Sequence, residues 1–132
     1  MAAFDTLRQR EQMKVLIVET VPELGRLWQR HLERQGMEVR LEQGQSGAAT
    51  ALSAQRFDVI VLNVVLEEGS ALAVADLASY RHPDTQVIFV TSSSFFSDGS
   101  IFSLNANARA FVQSDTPPED LAAMVEHYGR SD

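Results

Sequence analysis

Hydrophobic positions along this chain of 132 residues gather into short runs separated by amphipathic stretches. Val15-Leu16-Ile17-Val18 is a continuous apolar run rich in β-branched residues, the pattern of a strand buried on both faces. Asp58-Val59-Ile60-Val61-Leu62 and Val87-Ile88-Phe89-Val90 repeat that pattern. Met37 to Leu41 alternates instead, which predicts a strand nearer a sheet edge, and Ala110-Phe111-Val112 reads as a last short strand. Between these runs the spacing turns helical. Pro22 suits a first helical turn, Leu24, Leu27, Trp28, His31 and Leu32 recur along one face, and Gly36 stands where a helix stops. Gly44 to Gly47 predicts a turn, with a small-residue helix over Ala48 to Ala54 beginning near Ser46. A third helix covers Ala71 to Tyr80 and halts at Arg81-His82-Pro83; a weak fourth spans Ser97 to Ala106. Pro117-Pro118 opens a fifth, with Leu121, Met124, Val125 and Tyr128 at helical spacing.

Five strands alternating with five helices predict an α/β domain: a doubly wound five-stranded parallel sheet with helices on both faces. The domain runs over residues 14–130, and residues 1–13 form a polar N-terminal extension. In such a fold, functional side chains belong at the carboxyl ends of the strands. Those positions hold Glu19 and Thr20, Asn63, Thr91 and Ser114.

Composition narrows the function classes. There are no cysteines, which excludes disulfides, thiolate catalysis and cysteine-based metal centres. The formal net charge of −7 repels phosphate backbones, so nucleic acid is not an expected partner. No apolar run approaches the length of a membrane span, and the N-terminus lacks the apolar centre of a secretory signal, which makes the cytoplasm the expected location. No base adjoins a strand-end hydroxyl in sequence, and His31, His82 and His127 fall in or at the ends of helices, so an enzyme is not expected.

Several segments, in order, resemble the receiver domains of two-component response regulators. Lys14 to Leu24 resembles their opening strand and acidic turn, and Asp58 to Leu66 with Gly69 resembles the strand and loop of the phosphoacceptor aspartate. Val90-Thr91-Ser92 resembles the strand end with the conserved hydroxyl, Asn107 to Ser114 the strand ending in an invariant lysine, and Pro118-Glu119-Asp120-Leu121 the start of the last helix. The resemblance covers about Lys14 to Tyr128 and implies a flavodoxin-like strand order 2-1-3-4-5. It also implies a magnesium-dependent phosphoryl transfer, in which two acids and the acceptor aspartate hold the ion, the lysine offsets phosphoryl charge and the hydroxyl bonds the arriving oxygen.

Set against that resemblance, this sequence departs at nearly every chemical position. Glu19 takes the place of the first acid and Thr20 that of the second. Asn63 replaces the acceptor, Ser114 replaces the lysine and Asp115 follows it; Thr91 alone matches in kind. Three pocket carboxylates are reduced to one, so magnesium binding is expected to be weak or absent, and a carboxamide cannot form an acyl phosphate.

The leading expectation is therefore a degenerate receiver in phosphorelay signalling that works by contact with a protein: a kinase, a regulator or a second copy of itself. The resemblance places an aromatic switch at Phe111, coupled to Thr91, on the face made by the fourth helix, fifth strand and fifth helix, which makes that face a candidate homodimer surface. Phe95 and Phe96, adjacent in a serine-rich loop, are a candidate interface anchor. Two alternatives stay open: a conventional receiver phosphorylated elsewhere, at Ser92 or Glu19, and a sensor whose neutral pocket of Thr20, Asn63, Thr91 and Ser114 takes a small polar ligand. Glu67 and Glu68 read as a solvated acidic loop or as replacement metal ligands. Trp28 and His31 read as packing residues.

Overall fold

The computed structural model describes residues 12–92 and 108–130. Nine elements follow in order: β1 (Lys14–Val18), α1 (Pro22–Arg34), β2 (Glu38–Glu42), α2 (Gln45–Ala54), β3 (Val59–Asn63), α3 (Ala71–Arg81), β4 (Gln86–Thr91), β5 (Ala108–Gln113) and α4 (Pro118–Gly129). All strand pairs are parallel, and the sheet order is β2-β1-β3-β4-β5. The expected helix over 97–106 and residues 1–11 of the N-terminal extension lie outside the described residues, as do Phe95 and Phe96; of the extension's last two residues, Gln12 donates to the Gly36 carbonyl and Met13 is buried in the core rather than part of a polar tail.

Alternation along each strand divides the core in two. Leu16, Val18, Ile60, Leu62 and Phe89 face α2 and α3, packing on Ala51, Leu52, Val74 and Ala78. Val15, Ile17, Val59, Val61, Ile88 and Val90 face α1 and α4, packing on Trp28, Leu32, Leu121 and Val125. β1, β3 and β4 are covered on both faces, which is why their sequences are apolar at every position rather than at every second one. β2 is an edge strand, half-buried with Glu38 exposed, in agreement with its alternating sequence.

Element limits shift in instructive places. β5 runs from Ala108 to Gln113, longer than its apolar core of three residues, because the backbone ladder to β4 continues past the hydrophobic stretch. α2 starts at Gln45, so the Gly44–Gly47 turn shrinks to its first residue, whose carbonyl accepts the Ala48 N–H. Asp58 lies just outside β3; its carboxylate accepts the Lys14 N–H at 2.9 Å and so joins the lower ends of β1 and β3. Gly36 takes a φ of 89° after α1, the left-handed conformation expected of a helix stop.

The carboxyl ends of β1, β3 and β4 thus come together on one rim. Asn63 is paired with Val90, and the Val64 N–H donates to the Val90 carbonyl at 2.8 Å.

Candidate functional site

Glu19 is the residue immediately after β1. Its N–H donates to the Glu42 carbonyl at 3.0 Å, so the β1–β2 ladder continues one step beyond the strand and aims the side chain beneath α1. α1 can close over it because Gly25 presents no side chain: a Cβ there would come within 3.5 Å of the Glu19 Cβ and 2.7 Å of Leu41. The result is a carboxylate with no exposed surface.

Both of its oxygens are engaged. The Asn63 Nδ2 donates to Oε1 and to Oε2, each at 3.0 Å, and the Val21 N–H donates to Oε2 at 3.0 Å. The Val21 contact also supplies an acceptor at the start of α1, where Val21 provides no side-chain cap of its own. The Asn63 Oδ1 accepts the Val65 N–H at 2.9 Å, and that bond fixes the amide so that its nitrogen faces Glu19. Among the described residues no ion pair reaches Glu19. A buried carboxylate is tolerated only where hydrogen bonds replace its lost hydration, and here an amide and a peptide N–H do so.

Thr20 is tied to the same loop. Its Oγ1 accepts the Glu67 N–H at 3.2 Å, so the β3–α3 loop is held to the β1–α1 turn. On its other side the loop is fastened to α2. Glu68 accepts the Ser46 N–H at 2.9 Å and the Ser46 hydroxyl at 3.0 Å, while its carbonyl accepts the Gln45 N–H at 3.0 Å. The Gln45 side chain accepts the Ser70 N–H at 2.8 Å. The Glu68 carboxylate therefore caps α2 from 22 residues away, in place of the cap that Gly44 cannot provide. Close approach requires glycine at both contacts: Gly44 lies against Glu68, and Gly69, with φ 86°, against Gln45.

Thr91 ends β4 almost fully buried, and its carbonyl accepts the Ser114 N–H at 2.8 Å. Ser114 is half-buried and Asp115 is exposed. Phe111 is half-buried and packs on the α2–α3 face, its ring 6.5 Å from that of Phe89 at a tilt of 36°. Trp28 is core, at 2% exposure, and His31 is half-buried.

The structure thus brings Glu19 and Asn63 into direct contact, joins Thr20 to them through the loop, and links Thr91 to Ser114 through the backbone. Glu67 and Glu68 are exposed, as a solvated acidic loop requires, and Glu68 in addition caps α2. Sequence reasoning missed that cap, whose partners lie 22 positions apart, and missed the closeness of Gly25 to Leu41, because contacts between separate elements leave no local signal. A glycine inside the otherwise well-patterned α1 was the one available clue. An open hollow of about 320 Å³ lies beside the site, lined by Val64, Val65, Leu66, Gly69 and the first residues of α3. Glu19, Thr20, Thr91 and Ser114 do not line it. Among the described residues no three histidines, aspartates or glutamates are grouped so as to hold a metal ion, and no helix is long and apolar enough to cross a membrane.

Comparison with known proteins agrees with this geometry. The family model of the response regulator receiver domain matches residues 15–126. Over 115 residues the chain is 30% identical to the response regulator protein PilR of Pseudomonas aeruginosa, covering 87% of this chain and 25% of PilR, so the chain spans a quarter of that relative's length. Among solved structures, a CheY-like receiver domain protein from Methanospirillum hungatei superimposes with a TM-score of 0.77 at 23% identity, covering 90% of this chain and 94% of that one. The Thermotoga maritima response regulator TrrA, solved with Mg2+ and beryllium fluoride, gives 0.77 at 19% identity, covering 89% and 99%. At those identities the two structures speak for the fold alone.

Proposed function

Because this chain belongs to the response regulator receiver domain family, we propose that it is a two-component receiver that does not take phosphate at Asn63 and signals instead through contact with a protein partner. One observation carries this reading. The carboxylate that follows β1, Glu19, is buried and turned onto the Asn63 amide and the Val21 N–H.

These donors do not suit magnesium. The ion takes hard oxygen ligands in a near-octahedral shell and is usually held by one or two carboxylates. Here the pocket side of Glu19 meets the Nδ2 of Asn63, a group with two N–H donors and no lone pair to give. Thr20 contributes a hydroxyl already accepting from Glu67, and Ser114 supplies no cation to offset phosphoryl charge. A carboxamide is also neutral and too weak a nucleophile to displace a leaving group from phosphorus.

The scaffold around this pocket keeps its packed sheet and its half-buried Phe111, so its function is ascribed to surface recognition rather than turnover. A kinase, a regulator or a second copy of the chain remains the partner class, and the cytoplasm the place of action.

The test is incubation of the protein with acetyl phosphate or phosphoramidate and magnesium, followed by intact mass measurement. The expected mass is unchanged. An added phosphoryl group, mapped to any residue, would defeat the proposal.

A further inference from the structure

We infer that Asn63 is a built-in substitute for a bound cation: its amide supplies from within the protein the balance that the buried Glu19 carboxylate needs, so that the wild-type pocket is closed and returning an aspartate to position 63 makes the fold depend on a divalent ion. The inference deepens the reading of the pocket given above and rests on the same residues.

Glu19 has no exposed surface, and no ion pair among the described residues offsets it. Its stabilisation comes from the two contacts to Asn63 Nδ2 and the one from the Val21 N–H, all at 3.0 Å. Asn63 is held in that orientation by the Val65 N–H on its Oδ1. Replacing the amide by a carboxylate changes in kind only the two contacts made by Nδ2: the Val65 bond persists, because a carboxylate oxygen also accepts. The other side becomes two carboxylates facing each other at hydrogen-bonding distance, with Glu19 fully buried beneath α1 and position 63 half-buried. Only a proton or a cation relieves that arrangement. Two facing carboxylates are a competent start to a magnesium or calcium site, whereas a carboxylate facing an amide nitrogen is not.

The same geometry predicts a reciprocal pair. In Glu19→Gln combined with Asn63→Asp, the amide and carboxylate exchange places. The new amide donates across the gap while its oxygen still accepts from Val21, and the new carboxylate still accepts from Val65. The pocket regains one negative charge and one amide, and no longer needs an ion.

Thermal unfolding in EDTA and in millimolar magnesium tests this. The wild type is expected to melt at the same temperature in both. Asn63→Asp is expected to melt about 5–10 °C lower in EDTA and to recover most of that loss in magnesium. E19Q/N63D is expected to melt close to wild type in EDTA and to ignore magnesium. Should N63D be unfolded in EDTA, folding on addition of magnesium is the same result in stronger form, read by circular dichroism. An N63D protein as stable as wild type in EDTA, or one that magnesium does not restore, overturns the inference; so does a double variant no better than N63D. Phosphorylation of the wild type would overturn the functional reading without altering these melting temperatures, so the two failures are distinguishable.

Discussion

The two rims of the sheet hold the same kind of bond and use it differently. At the amino-terminal rim Asp58 accepts the Lys14 N–H, and at the carboxyl-terminal rim Glu19 accepts the Val21 N–H. Both are carboxylates that fasten backbone at a strand end. The Asp58 side chain, however, is 28% exposed, with Arg56 at 3.6 Å, so water and a cation share its charge. Glu19 is buried and, among the described side chains, is hydrogen-bonded to Asn63 alone. Solvent makes the first rim tolerant of change, and its absence makes the second depend on a single amide. The resemblance puts the receiver family's chemistry at the second rim, and the proposal above is that this chain keeps the burial there without that chemistry.

Substitutions can break that contrast, beginning at the sealed rim. Asn63→Leu removes both donors to Glu19 and leaves the carboxylate with one partner. A loss of about 2–4 kcal/mol in unfolding free energy is expected by urea titration, since removing one partner of a buried charge costs more than the bond itself. Unlike N63D, this variant is expected to gain nothing from magnesium. Glu68→Ala tests the fastening of the loop rather than the pocket. It uncaps α2 and frees the β3–α3 loop, with an expected loss of about 1 kcal/mol. Arg56→Ala tests the open rim. The pair is exposed and long, and the expected change lies within about 0.5 kcal/mol. An Arg56 effect as large as that of Asn63→Leu would show that burial is not what separates the two rims.

Much of this was legible in the sequence, and the boundary between what was and was not is physical. β1, β3 and β4 announced themselves because burial on both faces demands an unbroken apolar run, and α1 because Trp28 and Leu32 keep helical step with Leu24. Asn63, Thr20 and Ser114 stand where the resemblance to a receiver calls for chemically active residues, and the inactivity this implies is part of the proposal. What the sequence could not display was the re-employment of those residues. The contact between Asn63 and Glu19 spans 44 positions, and Glu68 reaches Ser46 across 22. Such pairs are set by strand register and loop path rather than by local periodicity. The same is true of Gly25, whose role is apparent only once α1 is seen pressed against Leu41.

One detail of the clamp makes it observable from outside. Val21 and Val65 are exposed side chains at the mouth of the pocket, 47% and 62% accessible, yet their amide protons point inward to Glu19 and Asn63. Amides in surface turns ordinarily trade hydrogen for deuterium quickly. These two are expected to be slow, with rates that track the opening of the pocket rather than the motion of the turns around them. They act as a pair of clocks, one on each partner of the clamp. If both accelerate together when a binding partner is added, the partner has reached the pocket; if they keep time unchanged, it has settled elsewhere on the surface.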